Sequence, residues 1–246
     1  MTILTVVQDV CANVGVVYPA SVFAGIANNR TMQEMLSLAN EMAHAIGADL
    51  REWTRLKATA VFTGDGVVTS PPPYGDGVVH GTSRFNWPAG FRRLLTNSNM
   101  YRTDMALTPM RYVADADEWL VRRANNNYDS RGEWCNLGHQ VEIWPILPVG
   151  TSAQIVYLSK NVVALASGGY GDRFIADNDS FVLDERLLKL GMQWRWRSNK
   201  GAPYAEDMGS YSDALAMAMG SDKPAPIIID RKAVSGTTAY PWMVPT

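Results

Sequence analysis

The stretch TMQEMLSLANEMAHAIGADLREW, residues 31–53, decides the fold reading. Met32, Met35, Leu36, Ala39, Met42, Ala43, Ile46, Leu50 and Trp53 recur at steps of three and four, one apolar stripe on a helix. Thr31 and Glu34 have capping-box form, so the spacing predicts a helix of about 23 residues, roughly 35 Å long. Upstream, Thr5 and Gln8 repeat that form, and Val6, Val7, Val10 and Val14 predict a first helix ending near Gly15. Downstream, Leu183, Leu187, Leu188 or Leu190, and Trp194 face inward on a further helix. Gly201 and Pro203 separate it from a last helix carrying Tyr204, Met208, Tyr211, Leu215 and Ala218.

Between these helices the pattern turns to strands. Ala58, Ala60 and Phe62 alternate with polar or small neighbours, and Ser83 to Trp87 forms a short strand. Val141 and Ile143 alternate with Gln140 and Glu142, and beyond Pro148-Val149-Gly150 Ile155 and Tyr157 do the same, which predicts a hairpin. Asp115 and Glu118 cap one helix within this region, with Trp119, Leu120 and Ala124 on its inner face. Asp177-x-Asp179 reads as a helix N-terminus. The expected class is α+β: a mainly α-helical body of long amphipathic helices, a small antiparallel β domain and an extended C-terminal arm. The helical body is expected from residues 1–56 and 174–220, the β-rich insertion from 57–173 with one helix at about 115–125, and the arm from 221–246.

Two segments stand apart. Gly64-Asp65-Gly66-Val67-Val68 recurs as Gly75-Asp76-Gly77-Val78-Val79 around Pro71-Pro72-Pro73, which reads as an exposed excursion. The arm holds Pro224, Pro226, Pro241 and Pro245, yet also Ile227-Ile228-Ile229, Tyr240, Trp242 and Met243, too apolar for a solvated tail. An extended segment docking on another chain fits it best.

Composition narrows the function. The 246 residues carry 22 basic and 24 acidic side chains, net charge −2, with 19% charged and 47% hydrophobic residues. This excludes disorder and a strongly basic nucleic-acid or membrane-binding module. Eight tryptophans point to buried interfaces. Cys11 and Cys135 build no disulfide framework, and a reducing compartment is expected. No signal peptide and no membrane-spanning run is visible, so synthesis in a cytoplasm is expected.

No chemistry emerges from spacing. His44, His80 and His139 lack the close pairing of a zinc site, and Asn127-x-Asp129-x-Arg131 fails as a calcium loop at Arg131 and Gly138. Gly168-Gly169-Tyr170-Gly171 lacks the lysine of a phosphate loop, and no G-x-S-x-G occurs. Arg186, Lys189, Arg195, Arg197 and Lys200 interleave with Trp194 and Trp196. They fit either single-stranded nucleic-acid stacking or cations complementing a helix C-terminus, and the global charge favours the second.

An ordered set of stretches resembles a known family. It runs Thr5 to Cys11 (TVVQDVC), Leu36 to Glu41 (LSLANE) into Glu52-Trp53, Phe85 to Leu94 (FNWPAGFRRL), Asp117-Glu118-Trp119, Phe174 to Asp179 (FIADND), Leu183 to Gly191 (LDERLLKLG) and Trp194-Arg195. Together they resemble the head-to-tail adaptors of tailed bacteriophages, the tail tubular protein A group. The resemblance covers about Thr5 to Leu215. It implies a non-enzymatic structural virion protein without cofactor or metal. The family forms a ring, typically of twelve copies, between portal protein and tail nozzle protein, with tail fibres as further neighbours and DNA passing through the lumen. On that footing Pro226, Ile227, Ile228, Ile229, Tyr240 and Trp242 are expected to dock onto the portal or a neighbour. Arg122, Arg123, Arg186 and Lys189 are expected at the ring interface, and Asp65, Pro72, Tyr74 and Asp76 against a tail component. Near-neutral charge suits a conduit that lets DNA slide. The alternatives are a tail-associated cell-wall hydrolase, for which no catalytic constellation is visible, and a DNA-binding module using residues 194–200.

Overall fold

A computed structural model of the protein describes residues 1–24, 26–48, 52–64, 83–105 and 108–222. Helix α1 (Ile3–Val14) begins where the Thr2 hydroxyl accepts the Thr5 N–H, three residues before the cap expected at Thr5. Ile3, Val6, Val7, Val10 and Cys11 form its buried stripe, and Gly15 closes it at φ 73°, a left-handed turn that glycine adopts without strain. Helix α2 (Arg30–Ala48) is capped by the Asn29 side chain, which accepts the Met32 N–H at 3.2 Å. Beyond its described span Trp53 turns its indole N–H back to the Ile46 carbonyl at 2.9 Å.

The strands follow as β1 (Lys57–Thr63), β2 (Arg84–Asn86), β3 (Phe91–Leu94), β4 (Tyr101–Arg102) and β5 (Arg111–Tyr112). Helix α3 (Ala116–Ala124) precedes β6 (Glu133–Leu137), β7 (Gln140–Trp144), β8 (Ser152–Ser159), β9 (Val163–Ala164), β10 (Tyr170–Gly171) and β11 (Ser180–Phe181). Helices α4 (Glu185–Asn199) and α5 (Ala205–Ser221) complete the described chain.

Helix α4 is the centre of the helical layer, packed by α1, α2 and α5. Helix α1 runs parallel to it, joined by Lys189–Asp9 and Asn13–Gln193, and α2 runs antiparallel, joined by Arg195–Glu41 and Lys200–Glu34. The crossing depends on Gly191, where a Cβ would fall 2.6 Å from Met42 Cε and 3.3 Å from Tyr211 Cε2. The small sheet β10-β9-β11 joins this layer, since Val163, Phe174 and Phe181 share its core with Leu38, Ile46 and Leu187.

The second core lies between two four-stranded sheets. In one, β8 is central, flanked by β1 on one side and by β3 and β4 on the other. The other has the order β2-β7-β6-β5, antiparallel except for the parallel β5–β6 pair. Period-two alternation sends Ala60, Phe62, Ala153, Ile155 and Tyr157 from the first sheet against Trp134, Val141 and Ile143 from the second. Helix α3 covers the outer face of the second sheet, packing Trp119 on Cys135 and Val113.

This corrects the expectation of a mainly helical body with a small β domain. Among the described residues there are five α-helices but also three sheets, a mixed α/β fold. The β part has its own inter-sheet core, and Leu158 to Phe181 contributes strands to the helical one. The expected β7–β8 hairpin is also overturned: β7 pairs with β6 and β2, whereas β8 pairs with β1, β3 and β4. Turn residues at 148–150 bound two strands but do not choose their partners, which burial of both apolar faces decides. Leu120, expected inward, is 57% exposed, and Trp119 is the one apolar side chain that α3 buries against the sheet.

Candidate interaction surfaces and charged clusters

Two of the four expected ring cations are tied up within the chain by α3. Glu142, on the α3-facing side of β7, is buried and accepts from Trp119 Nε1 at 2.5 Å, from Arg123 Nη1 at 2.9 Å and from Arg84 Nε. Burial works to raise its pKa, but the Trp119 and Arg84 hydrogen bonds and the charges of Arg123 and Arg84 outweigh it and hold the carboxyl below its usual value. Arg123 also lies over the Trp144 ring at 5.2 Å. The preceding residue, Arg122, bridges Glu118 at 2.7 Å and buried Glu133 at 2.9 Å. Lys189 is paired with Asp9 at 2.8 Å. Arg186 alone of the four is exposed with neither ion pair nor hydrogen bond from its side chain among the described residues.

The basic run at the end of α4 is likewise engaged. Arg195 pairs with Glu41 at 3.2 Å, Arg197 with Asp207 at 2.5 Å, and Lys200 with Glu34 at 2.6 Å. Lys200 also sits over the Trp196 ring, and Trp194 packs between Tyr204 and Tyr211. The cations bind α4 to its three neighbours.

Asp177 and Asp179 are not a helix N-terminus. The Asp179 carboxylate is buried and accepts the N–H groups of Ala166, Ile175 and Ala176 at 2.9, 2.7 and 2.8 Å. Asp177 accepts the Val22 N–H at 2.8 Å, the Phe23 N–H at 3.3 Å and the Ser21 hydroxyl. Their carbonyls receive the first N–H groups of α1, Ile3 at 2.7 Å and Leu4 at 3.2 Å. This latch joins the start of α1 to the loop before β11. Its signal in the sequence is the Asp-x-Asp pair itself, which spacing alone does not distinguish from a cap.

Among the described residues no group of three His, Cys, Asp or Glu side chains could hold a metal ion. No helix there is long and apolar enough to cross a membrane. Burial raises the thiol pKa of Cys11 and of Cys135, Glu142 adding to the second. The expected docking residues Pro226, Ile227, Ile228, Ile229, Tyr240 and Trp242 and tail-contact residues Asp65, Pro72, Tyr74 and Asp76 lie outside the described residues, as does His80.

The exposed surface has features of its own. Only Ala214 of the 17 residues of α5 is buried, while Met208 and Met217 are 45% and 71% exposed. A polar groove of about 420 Å³ runs between Trp53, Arg55, the start of α4 at Asp184 and the end of α5 at Asp222. A second, of about 490 Å³, follows the Val16–Ser21 loop to Thr31 and Met32, beside exposed Val17 and Tyr18. The chain matches no protein-family model and no curated protein.

Proposed function

We propose that this chain is a non-enzymatic virion connector of a tailed bacteriophage, a head-to-tail adaptor. Copies form a ring, of about twelve by resemblance to the family, between portal protein and tail nozzle, with tail fibres as further neighbours and DNA passing through the lumen. It is made in the host cytoplasm and assembled into the virion. The observation that carries this reading is α5, a 17-residue helix that buries one residue and leaves two methionines outward. Met208 and Met217, nine residues apart, flank an outward strip of small residues, Gly209, Ala216 and Gly220, which leaves room for another chain to approach closely. The chain then continues from Asp222 into residues 223–246, whose Ile227-Ile228-Ile229 and Tyr240-x-Trp242 supply apolar anchors for the portal or an adjacent copy.

The engaged arginines sharpen the reading. With Arg122, Arg123 and Lys189 neutralised inside the chain, Arg186 is the member of the expected ring set whose charge stays available to a neighbour.

The test is negative-stain imaging of the purified protein mixed with the portal protein of the same genome. Rings seated on portal particles are expected, and their loss on deleting residues 224–246, with the helical layer still folded, is expected too. Portal particles without added density would overturn the connector reading. Binding undiminished by the deletion would remove the arm from it.

A further inference from the structure

Strand β1 is an open edge. Its one sheet partner among the described residues is β8, met in an unbroken register from Lys57 opposite Leu158 to Thr63 opposite Ser152. The Gly64 N–H continues that ladder to the Thr151 carbonyl at 2.9 Å. By antiparallel alternation the main-chain groups of Ala58, Ala60 and Phe62 therefore face β8, and those of Thr59, Val61 and Thr63 face away. The latter three have no main-chain partner among the described residues. Proteins ordinarily blunt such an edge with a proline, a bulge or an inward-pointing charge. The sequence KATAVFT has none of these, and its one charge, Lys57, stands exposed at the start.

The end of the described chain lies at the foot of this edge. Asp222 accepts the Thr54 N–H at 3.0 Å through its carboxylate and the Thr54 hydroxyl at 3.3 Å through its carbonyl. Thr54 opens the short 3₁₀ turn Thr54–Leu56 that runs straight into β1, a rise of about 6 Å. From Asp222 the sequence continues Lys223-Pro224-Ala225-Pro226-Ile227-Ile228-Ile229. Proline has no N–H to give to a ladder, so pairing can begin only after Pro226, with three β-branched residues that favour strands.

Reach selects the half of β1 that these residues meet. The five steps from Asp222 to Ile227 span at most about 18 Å, enough for the Lys57–Ala60 half. Entry from the Thr63 end would take about 29 Å, the turn plus roughly 23 Å of strand. The segment meets β1 at its foot, running the same way. Residues 65–70 are the rival occupant. A hairpin folded at Asp65-Gly66 would set Val68 against Thr63 and Ser70 against Val61, and Pro71-Pro72-Pro73 would then end the ladder before Thr59.

We propose that residues 227–229 add to the Lys57–Val61 edge of their own chain as a short parallel strand. The link through Asp222 holds them there at roughly millimolar effective concentration, above that of a free second chain. Alternation sends at least one isoleucine inward beside half-buried Ala58, and at least one outward beside exposed Val61 and Val156. The outward face stays open to the portal or an adjacent copy, with Tyr240 and Trp242 still to follow. This contact does not depend on the connector reading.

The test is amide hydrogen exchange followed by NMR on the full chain and on full-chain variants I228P/I229P and V67P/V68P. The Thr59 and Val61 amides are expected to be protected in wild type and to exchange about tenfold faster or more in I228P/I229P. Ala58, Ala60 and Phe62, bonded to β8, are expected to keep their rates, which shows that the variant is folded. As a second readout, Thr59→Cys is combined in turn with Ile227→Cys, Ile228→Cys and Ile229→Cys, and at least one pair is expected to close a disulfide within the monomer on oxidation. Unprotected Thr59 and Val61 amides in wild type, rates unmoved in I228P/I229P, or protection lost in V67P/V68P instead overturns the proposal. Disulfide-linked dimers in place of cross-linked monomers assign the edge to a neighbour's segment and also overturn it. Portal capture by a protein whose Thr59 and Val61 amides are unprotected defeats this strand and not the connector reading; a protected edge on a protein that the portal does not capture defeats that reading and not this strand.

Discussion

Replacing Glu142 by Gln removes the charge on which α3 is anchored to the sheet. The carboxylate is 1% exposed and holds Trp119 Nε1, Arg123 and Arg84. Arg84 is 61% exposed and rehydrates, so its loss costs little. Arg123 is 11% exposed and pinned over Trp144, so its charge stays buried without a counterion. Stripping one partner from a buried pair costs about 3–5 kcal/mol. With an m-value of roughly 2–3 kcal/mol/M, the urea midpoint should fall by about 1–2 M at pH 7. Near-ultraviolet circular dichroism follows the Trp119 and Trp144 environments through the same titration. The folded pKa of Glu142 lies below its ordinary 4.5, so its contribution is complete above that value and lost as pH falls through the folded pKa. Wild type and variant should therefore converge in acid. A loss under about 1 kcal/mol at neutral pH, or a difference undiminished in acid, refutes the argument.

Asp179→Ala leaves the N–H groups of Ala166, Ile175 and Ala176 without their acceptor and should cost about 3 kcal/mol or more, a fall of roughly 6–12 °C in a thermal melt. Gly64→Ala sets a methyl group 2.5 Å from the Pro148 carbonyl oxygen and 2.8 Å from the Leu147 carbonyl carbon, both backbone atoms that cannot swing aside. A loss of about 1–3 kcal/mol is expected by urea titration. Cys11 and Cys135 are 0% and 1% exposed, with burial raising both thiol pKa values, so a thiol-specific chromogenic reagent should read no free thiol in native protein and two after unfolding.

The helices were legible because their signals are local. Val6, Val7 and Val10, or Met32, Met35 and Met42, repeat at the helical period whatever surrounds them, and Asp115 and Asp184 cap through their own side chains. Helix ends were less legible: Thr2 and Asn29 do the capping expected of Thr5 and Thr31, since residues of one type compete for the role within a turn. The charged residues were least legible. Glu142 has the spacing of a solvent-facing strand residue, and only the placement of α3 over that face turns it into a buried anchor. Arg122 and Arg123 read as outward cations for the same reason.

The sequence by itself determined the amphipathic periods, the turn residues and a charge balance close to zero, because each is a property of neighbours along the chain. Tertiary structure decided the rest. Which strand pairs with which depends on burying apolar faces from residues far apart, so β8 took β1, about a hundred residues earlier, over nearby β7. Which charges remain free depends on what packs across from them, so Arg122 and Lys189 are silenced by Glu133 and Asp9, while Arg186 has no partner among the described residues.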